Sequence, residues 1–143
     1  MPINKALCLV PYRLHLIPLY SCPASAGFPS PAEDYLDGHI DLNEHLIPHP
    51  SATFLVRADG WSMVGEGIHH GDLLIVDRSE EARHGRIVVV AIHGELTVKK
   101  LCKENQRTFL MAANPDYPSI EVCEEDEIWV WGVVIHIIRS LRR

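Results

Sequence analysis

Six prolines crowd the first 31 residues of this 143-residue chain (Pro2, Pro11, Pro18, Pro23, Pro29 and Pro31). Each fixes φ and removes a backbone donor, so the stretch supports neither a long helix nor a central strand. It reads as an irregular arm, and its small, polar, proline-rich end over 21–31 reads as an accessible linker. Residues 32–46 hold the one helical candidate. Tyr35, Leu36 and Ile40 share a face there, with Glu33 and Asp34 favourably placed near the N-terminal end. Gly38 weakens that helix, and Asp41-Leu42-Asn43 offers a separate turn before Pro48 and Pro50 close the region. From Ser51 onward the pattern is β, with strands expected over 53–58, 73–76, 86–92, 95–102, 108–112 and 128–138. His93-Gly94 suits a two-residue hairpin turn, 103–107 is a charged turn, and Asn114-Pro115-Asp116-Tyr117-Pro118 is another. Many short strands with little helix imply a mainly β, compact and strongly curved fold with an irregular N-terminal arm and at most one short helix.

A chain of this length fits one domain with a single real core. Its net charge is −6, and residues 1–26 carry only Lys5 and Arg13, which leaves 11 basic against 19 acidic side chains on the rest. Such a body is a poor partner for nucleic-acid phosphates, so no direct sequence-specific DNA binding is expected. Cys8, Cys22, Cys102 and Cys123 form no C-x-x-C pair and read as reduced thiols of a cytoplasmic protein. The histidines form no ligand pattern either. Pro48 breaks any helix that would align His45 with His49, and His69 and His70 would diverge on a strand, so no metal and no other cofactor is expected.

Lys5, the apolar stretch 6–20 and Ala24-Ser25-Ala26 imitate a secretory signal. Arg13 and His15 interrupt it, and Pro11 and Pro18 break any helix there. The exported alternative would carry two disulfides, and four reactive thiols after unfolding without reductant would exclude it. No apolar segment approaches the roughly 20 residues a membrane span needs, and 128–138 falls far short.

The chemistry-bearing residues are few. Ser62 lies in Gly60-Trp61-Ser62-Met63, after a strand and a glycine that permits a sharp turn. That setting exposes a hydroxyl, with the backbone N–H groups of the Trp61-Ser62-Met63 region as a candidate oxyanion hole. A serine hydroxyl is a weak nucleophile and needs a base. No histidine is obviously paired with it; the alternative is that Ser62 is a loop serine of no consequence. Lys99 and Lys100 sit in an alternating run, which sends them to opposite faces of a strand. Burial makes a lysine lose its proton more easily, and moving one from about 10.4 to 7 takes roughly 4–5 kcal/mol. Periodicity does not say which lysine turns inward, and a solvated pair on an edge strand is the plain alternative.

Gly27-Phe28-Pro29-Ser30-Pro31-Ala32, Ile40-Asp41-Leu42-Asn43 and His49-Pro50-Ser51-Ala52-Thr53 resemble the UmuD family of SOS mutagenesis proteins. The same holds for Gly71-Asp72-Leu73-Leu74-Ile75-Val76-Asp77, Thr97-Val98-Lys99-Lys100-Leu101 and Gly132-Val133-Val134-Ile135-His136, so the likeness runs from about Pro18 to Arg139. The wider group includes LexA-type repressors and is similar in its Ser/Lys core to signal peptidases. The resemblance implies a fold of the LexA/signal-peptidase type, Ser62 as nucleophile, Lys99 as general base and Ala26-Gly27 as the bond cut. It divides the chain into an arm (1–26) removed by self-cleavage, a linker with a short helix (27–50) and a β catalytic core (51–143). It further implies stimulation by a RecA–single-stranded-DNA filament, and a homodimeric product that serves a UmuC-like Y-family polymerase in translesion synthesis. Only 26 residues precede the cut bond, too few for the DNA-binding domain of a repressor.

Two positions depart from the family pattern. Trp61 stands before the serine where relatives carry a small polar or acidic residue, and the cut bond is Ala-Gly where the best-known UmuD proteins have Cys-Gly. A noncatalytic adaptor that docks onto a polymerase or RecA, its cleft impaired by Trp61, is the competing reading. Trp129 and Trp131 in the last strand are either a dimer or partner surface or part of the core.

Overall fold

The computed structural model describes residues 14–21 and 35–142. The chain divides into two compact units that meet between Pro48 and His49.

In the first unit, β1 (Ile17–Tyr20) pairs antiparallel with β2 (Leu36–Ile40), with Ile17 opposite Ile40 and Leu19 opposite Gly38. A five-residue helix, α1 (Leu42–Leu46), follows. The helix expected over 32–46 is therefore corrected: its middle is a strand and only its end is helical. Gly38 has φ +135°, far from helical backbone, and Asp41 caps α1 by accepting the Asn43 N–H at 2.9 Å. Part of the supposedly irregular arm is likewise a strand. Pro18 is tolerated because a two-stranded ladder leaves each strand an unpaired edge. The Ala26-Gly27 bond and most of the linker lie outside the described residues.

The second unit is a seven-stranded antiparallel sheet. Its strands are β3 (Thr53–Arg57), β4 (Leu73–Asp77), β5 (Ile87–Ile92), β6 (Glu95–Glu104), β7 (Arg107–Met111), β8 (Ile120–Val122) and β9 (Ile128–Ile138), arranged in the order β3-β4-β9-β5-β6-β7-β8. The mainly β expectation holds. His93 and Gly94 have φ of 49° and 85° and form the hairpin turn read from the sequence. Asn105 and Gln106, at 49° and 65°, make a tighter turn than the expected 103–107, so β6 runs two residues further. The edge strand β8 has no counterpart in the expected set; three residues are too short for a pattern to register.

The long strand β9 lies between β4 and β5 and is bulged against both. The register shifts between Val89 and Val90 on one side, leaving Trp131 as the extra residue, and between Ile75 and Val76 on the other, leaving Ile135. Bulges bend a strand and increase its local twist. Two apolar clusters result. Ala58, Met63, Ile68, Leu74, Val76 and Val89 form one, and Val88, Val90, Leu101, Leu110 and Val133 the other. Trp129 and Trp131 belong to neither, being 72% and 41% exposed. Trp131 packs edge-on against Phe54 at 6.0 Å, with the Arg78 guanidinium over both rings. No helix among the described residues is long and apolar enough to cross a membrane.

Candidate active site

Ser62 sits on an excursion between β3 and β4. Its base is closed where Ala58 N–H donates to the Asp72 carbonyl and Gly71 N–H to the Ala58 carbonyl, both at 2.8 Å. Met63 and Ile68 plug the excursion into the first apolar cluster at 2% and 3% exposure. Gly60, with φ +84°, makes the bend just before Trp61 and Ser62. From the far side, the Ala113 N–H donates to the Ser62 carbonyl at 2.8 Å, the Gly65 N–H to the Ala113 carbonyl at 2.7 Å and Asn114 Nδ2 to the Trp61 carbonyl at 3.0 Å. Gly65 is required there, since a Cβ would stand 2.6 Å from the Ala113 oxygen. The carbonyls of residues 61 and 62 are thus pinned. The N–H groups of Ser62 and Met63 donate to no acceptor among the described residues, which leaves two adjacent donors at the bend for an incoming oxygen.

A cavity of about 180 Å³ opens beside this bend, lined by Gly60, Ser62 and Met63 on one side and by Leu96, Thr97 and Val98 of β6 on the other. Lys99 is the next residue along β6. It is buried at 8% exposure, faces Val88 across the ladder, and lines an adjoining depression that shares Thr97. The Ser62 hydroxyl and the Lys99 amine are not hydrogen-bonded to each other in this structure. Lys100 has a different setting. Its Nζ donates to Glu66 Oε1 at 2.6 Å, and that hydrogen bond, with the carboxylate charge, raises its pKa above the ordinary lysine value. The two lysines that periodicity leaves equivalent are thereby separated: one is buried without a carboxylate partner, the other is held charged.

Arg139 bears on the same excursion. It grips Asp72 with Nε on Oδ1 at 2.7 Å and a terminal nitrogen on Oδ2 at 2.6 Å, and also donates to the Gly67 carbonyl at 2.7 Å. The guanidinium hydrogen bonds hold the Asp72 carboxyl at about 2, below its ordinary 3.8, despite near-complete burial. A pKa depressed on folding contributes stability that is fully present above pH 4 and drains away as pH falls toward 2. Urea unfolding at pH 5, 3 and 2 is expected to show this loss in the parent, and a smaller loss in Arg139→Gln. Equal loss in both would exclude the pair as its source.

Trp61 is half-exposed beside the cleft, its ring 5.7 Å from that of His69 and 6.2 Å from that of His70. Sequence reading flagged Trp61 but not these partners, because the excursion, whose regular structure is one short 3-10 turn at Val64–Glu66, folds residues 69 and 70 back onto 60 and 61 with no periodicity to mark it.

A serine on a pinned bend and a buried lysine beside its cleft make up the candidate site, and comparison with known proteins supplies the family of this strand-built chain. The chain belongs to the Peptidase S24-like family, whose model matches residues 18–135. It is 47% identical over 125 residues to Protein MucA of Salmonella typhimurium, covering 87% of this chain and 85% of that one. Protein ImpA of Shigella flexneri is 42% identical over the same share of this chain. LexA repressor 1 of Pseudomonas syringae is 40% identical over 116 residues, 80% of this chain but 57% of its own length. The UmuD-like character read from the sequence therefore stands.

Proposed function

We propose that the protein is a self-cleaving Ser/Lys peptidase of the SOS mutagenesis response, cut between Ala26 and Gly27. The observation that carries this reading is the burial of Lys99 one residue beyond the β6 wall of the cleft that Ser62 lines. Neutral Lys99 takes the Ser62 proton as the hydroxyl oxygen attacks the Ala26 carbonyl carbon. The N–H groups of Ser62 and Met63 receive the oxyanion. Collapse breaks the Ala26–Gly27 bond, with the proton passing from Lys99 to the departing Gly27 amine, and water then hydrolyses the Ala26 ester on Ser62.

Tethering makes the scissile bond effectively concentrated, so restraint must be conformational. The free Ser62 and Lys99 side chains fit a resting state whose catalytic hydrogen bond forms only when the bond docks. A RecA–single-stranded-DNA filament would then act by binding the docked state a few kcal/mol more tightly. The cleaved product, as a homodimer, would serve a UmuC-like Y-family polymerase.

The test is the pH profile of self-cleavage. The rate is expected to climb from neutral to alkaline pH as the base loses its proton, and a flat profile over that range would argue against a lysine base.

A further inference from the structure

The turn that delivers Ser62 is held by a histidine the mechanism above does not use. Gly60 donates its backbone N–H to His70 Nδ1 at 2.9 Å. To accept, that nitrogen must carry a lone pair, so the geometry requires a neutral ring with its proton on Nε2. Trp61 lies against the same ring and that of His69, so residues 60 and 61 are fixed from two sides immediately before the serine. The Asp59 carboxylate stands 3.4 Å from His70 Nδ1. A protonated ring cannot accept from Gly60, but it can donate to Asp59.

We propose that His70 is a positioning residue for Ser62, and that it couples the shape of the nucleophile's turn to pH. The proposal rests on the self-cleavage reading. Neutral His70 anchors Gly60 and so fixes where the following hydroxyl and amides point. In the imidazolium form, Nδ1–H turns to Asp59 and the Gly60 anchor is lost. Imidazole is the side chain whose charge ordinarily changes between pH 5 and 8.

The other charged and titratable groups around this corner are otherwise engaged. Arg57 donates to the Gly71 carbonyl at 3.0 Å, and Asp72 accepts the His69 N–H at 2.7 Å while gripped by Arg139. His69 is half-buried against Trp61. Asp59 is the acidic group placed to receive the imidazolium proton.

The consequence separates positioning from general scaffolding. A single lysine base makes log rate rise with pH at a slope of about one on its acid limb. A second group that must also be deprotonated steepens the limb toward two where histidine protonates. Self-cleavage of the full chain is measured from pH 5.5 to 9 for the parent, His70→Ala and His70→Asn. The parent limb is expected to steepen toward its acid end. His70→Ala should lose roughly tenfold to a hundredfold of the alkaline rate, as misplaced reacting groups do, and show a slope of one. In His70→Asn the Oδ1 accepts the same bond without titrating, so most of the alkaline rate should return with the slope still one. A steepened limb that survives in His70→Asn, or an unchanged rate in His70→Ala, would overturn the proposal.

The Gly60 amide proton, followed by NMR, reads the anchor without any cleavage. It should shift with pH in the parent and stay fixed in His70→Asn. A Gly60 amide that moves in a protein that never cuts would sink the peptidase reading and leave the anchor. A Gly60 amide indifferent to pH in the parent would sink the anchor, whatever the cleavage result.

Discussion

Lys99→Ala is expected to slow self-cleavage by roughly three orders of magnitude or more, and Ser62→Ala to abolish it, with both variants folded as the parent. Initial rates of arm release at alkaline pH measure this directly. The contrast with Lys100 gives the prediction its force. Glu66 keeps Lys100 protonated, which makes it a poor proton acceptor, so Lys100→Ala should cost far less than Lys99→Ala. Lys99→Arg should be as inactive as Lys99→Ala, because a guanidinium stays charged at every working pH. Comparable losses in Lys99→Ala and Lys100→Ala would mean that the base has been misassigned.

The second large effect falls on stability. Gly132 lies in β9 between its two bulges, where β4 crosses so closely that a Cβ at 132 would stand 2.7 Å from Val76 Cγ1 and 3.1 Å from the Asp77 carbonyl oxygen. Val76 is fully buried, so its side chain has nowhere to retreat. Gly132→Ala therefore forces the centre of the sheet apart, and overpacking of this kind costs about 1–3 kcal/mol, occasionally more. Chemical denaturation should show a lowered midpoint with an unchanged slope. A variant as stable as the parent would show that β4 and β9 can separate without penalty.

The β core was legible because its signals are local. Val and Ile runs separated by glycine turns predict strands, and the His93-Gly94 turn lies where that chemistry places it. What failed was non-local. Residues 36–40 carry a helical spacing of apolar side chains, yet pairing with β1 and the φ of Gly38 make them a strand. No pattern confined to 32–46 contains that partner. Simple alternation along β9 could not place the tryptophans either, since the bulge at Trp131 breaks it.

The candidate site divides in the same way. Ser62 stands out by its setting after Gly60 and the lysine pair by a family-like block, and the resemblance implies Lys99, but the Glu66 contact that holds Lys100 charged spans 34 positions and leaves no pattern in the sequence. The His70–Gly60 bond had no sequence signal at all: a side chain meeting an amide across a ten-residue excursion leaves no periodicity.

The central claim is that this molecule cuts itself between Ala26 and Gly27. Intact mass after incubation at alkaline pH, with and without activated RecA filament, tests it most directly. The account predicts a new species beginning at Gly27, accelerated by the filament and absent from Ser62→Ala and Lys99→Ala. An unchanged mass under every condition would contradict it and leave a noncatalytic adaptor, with Trp61 the first residue to replace.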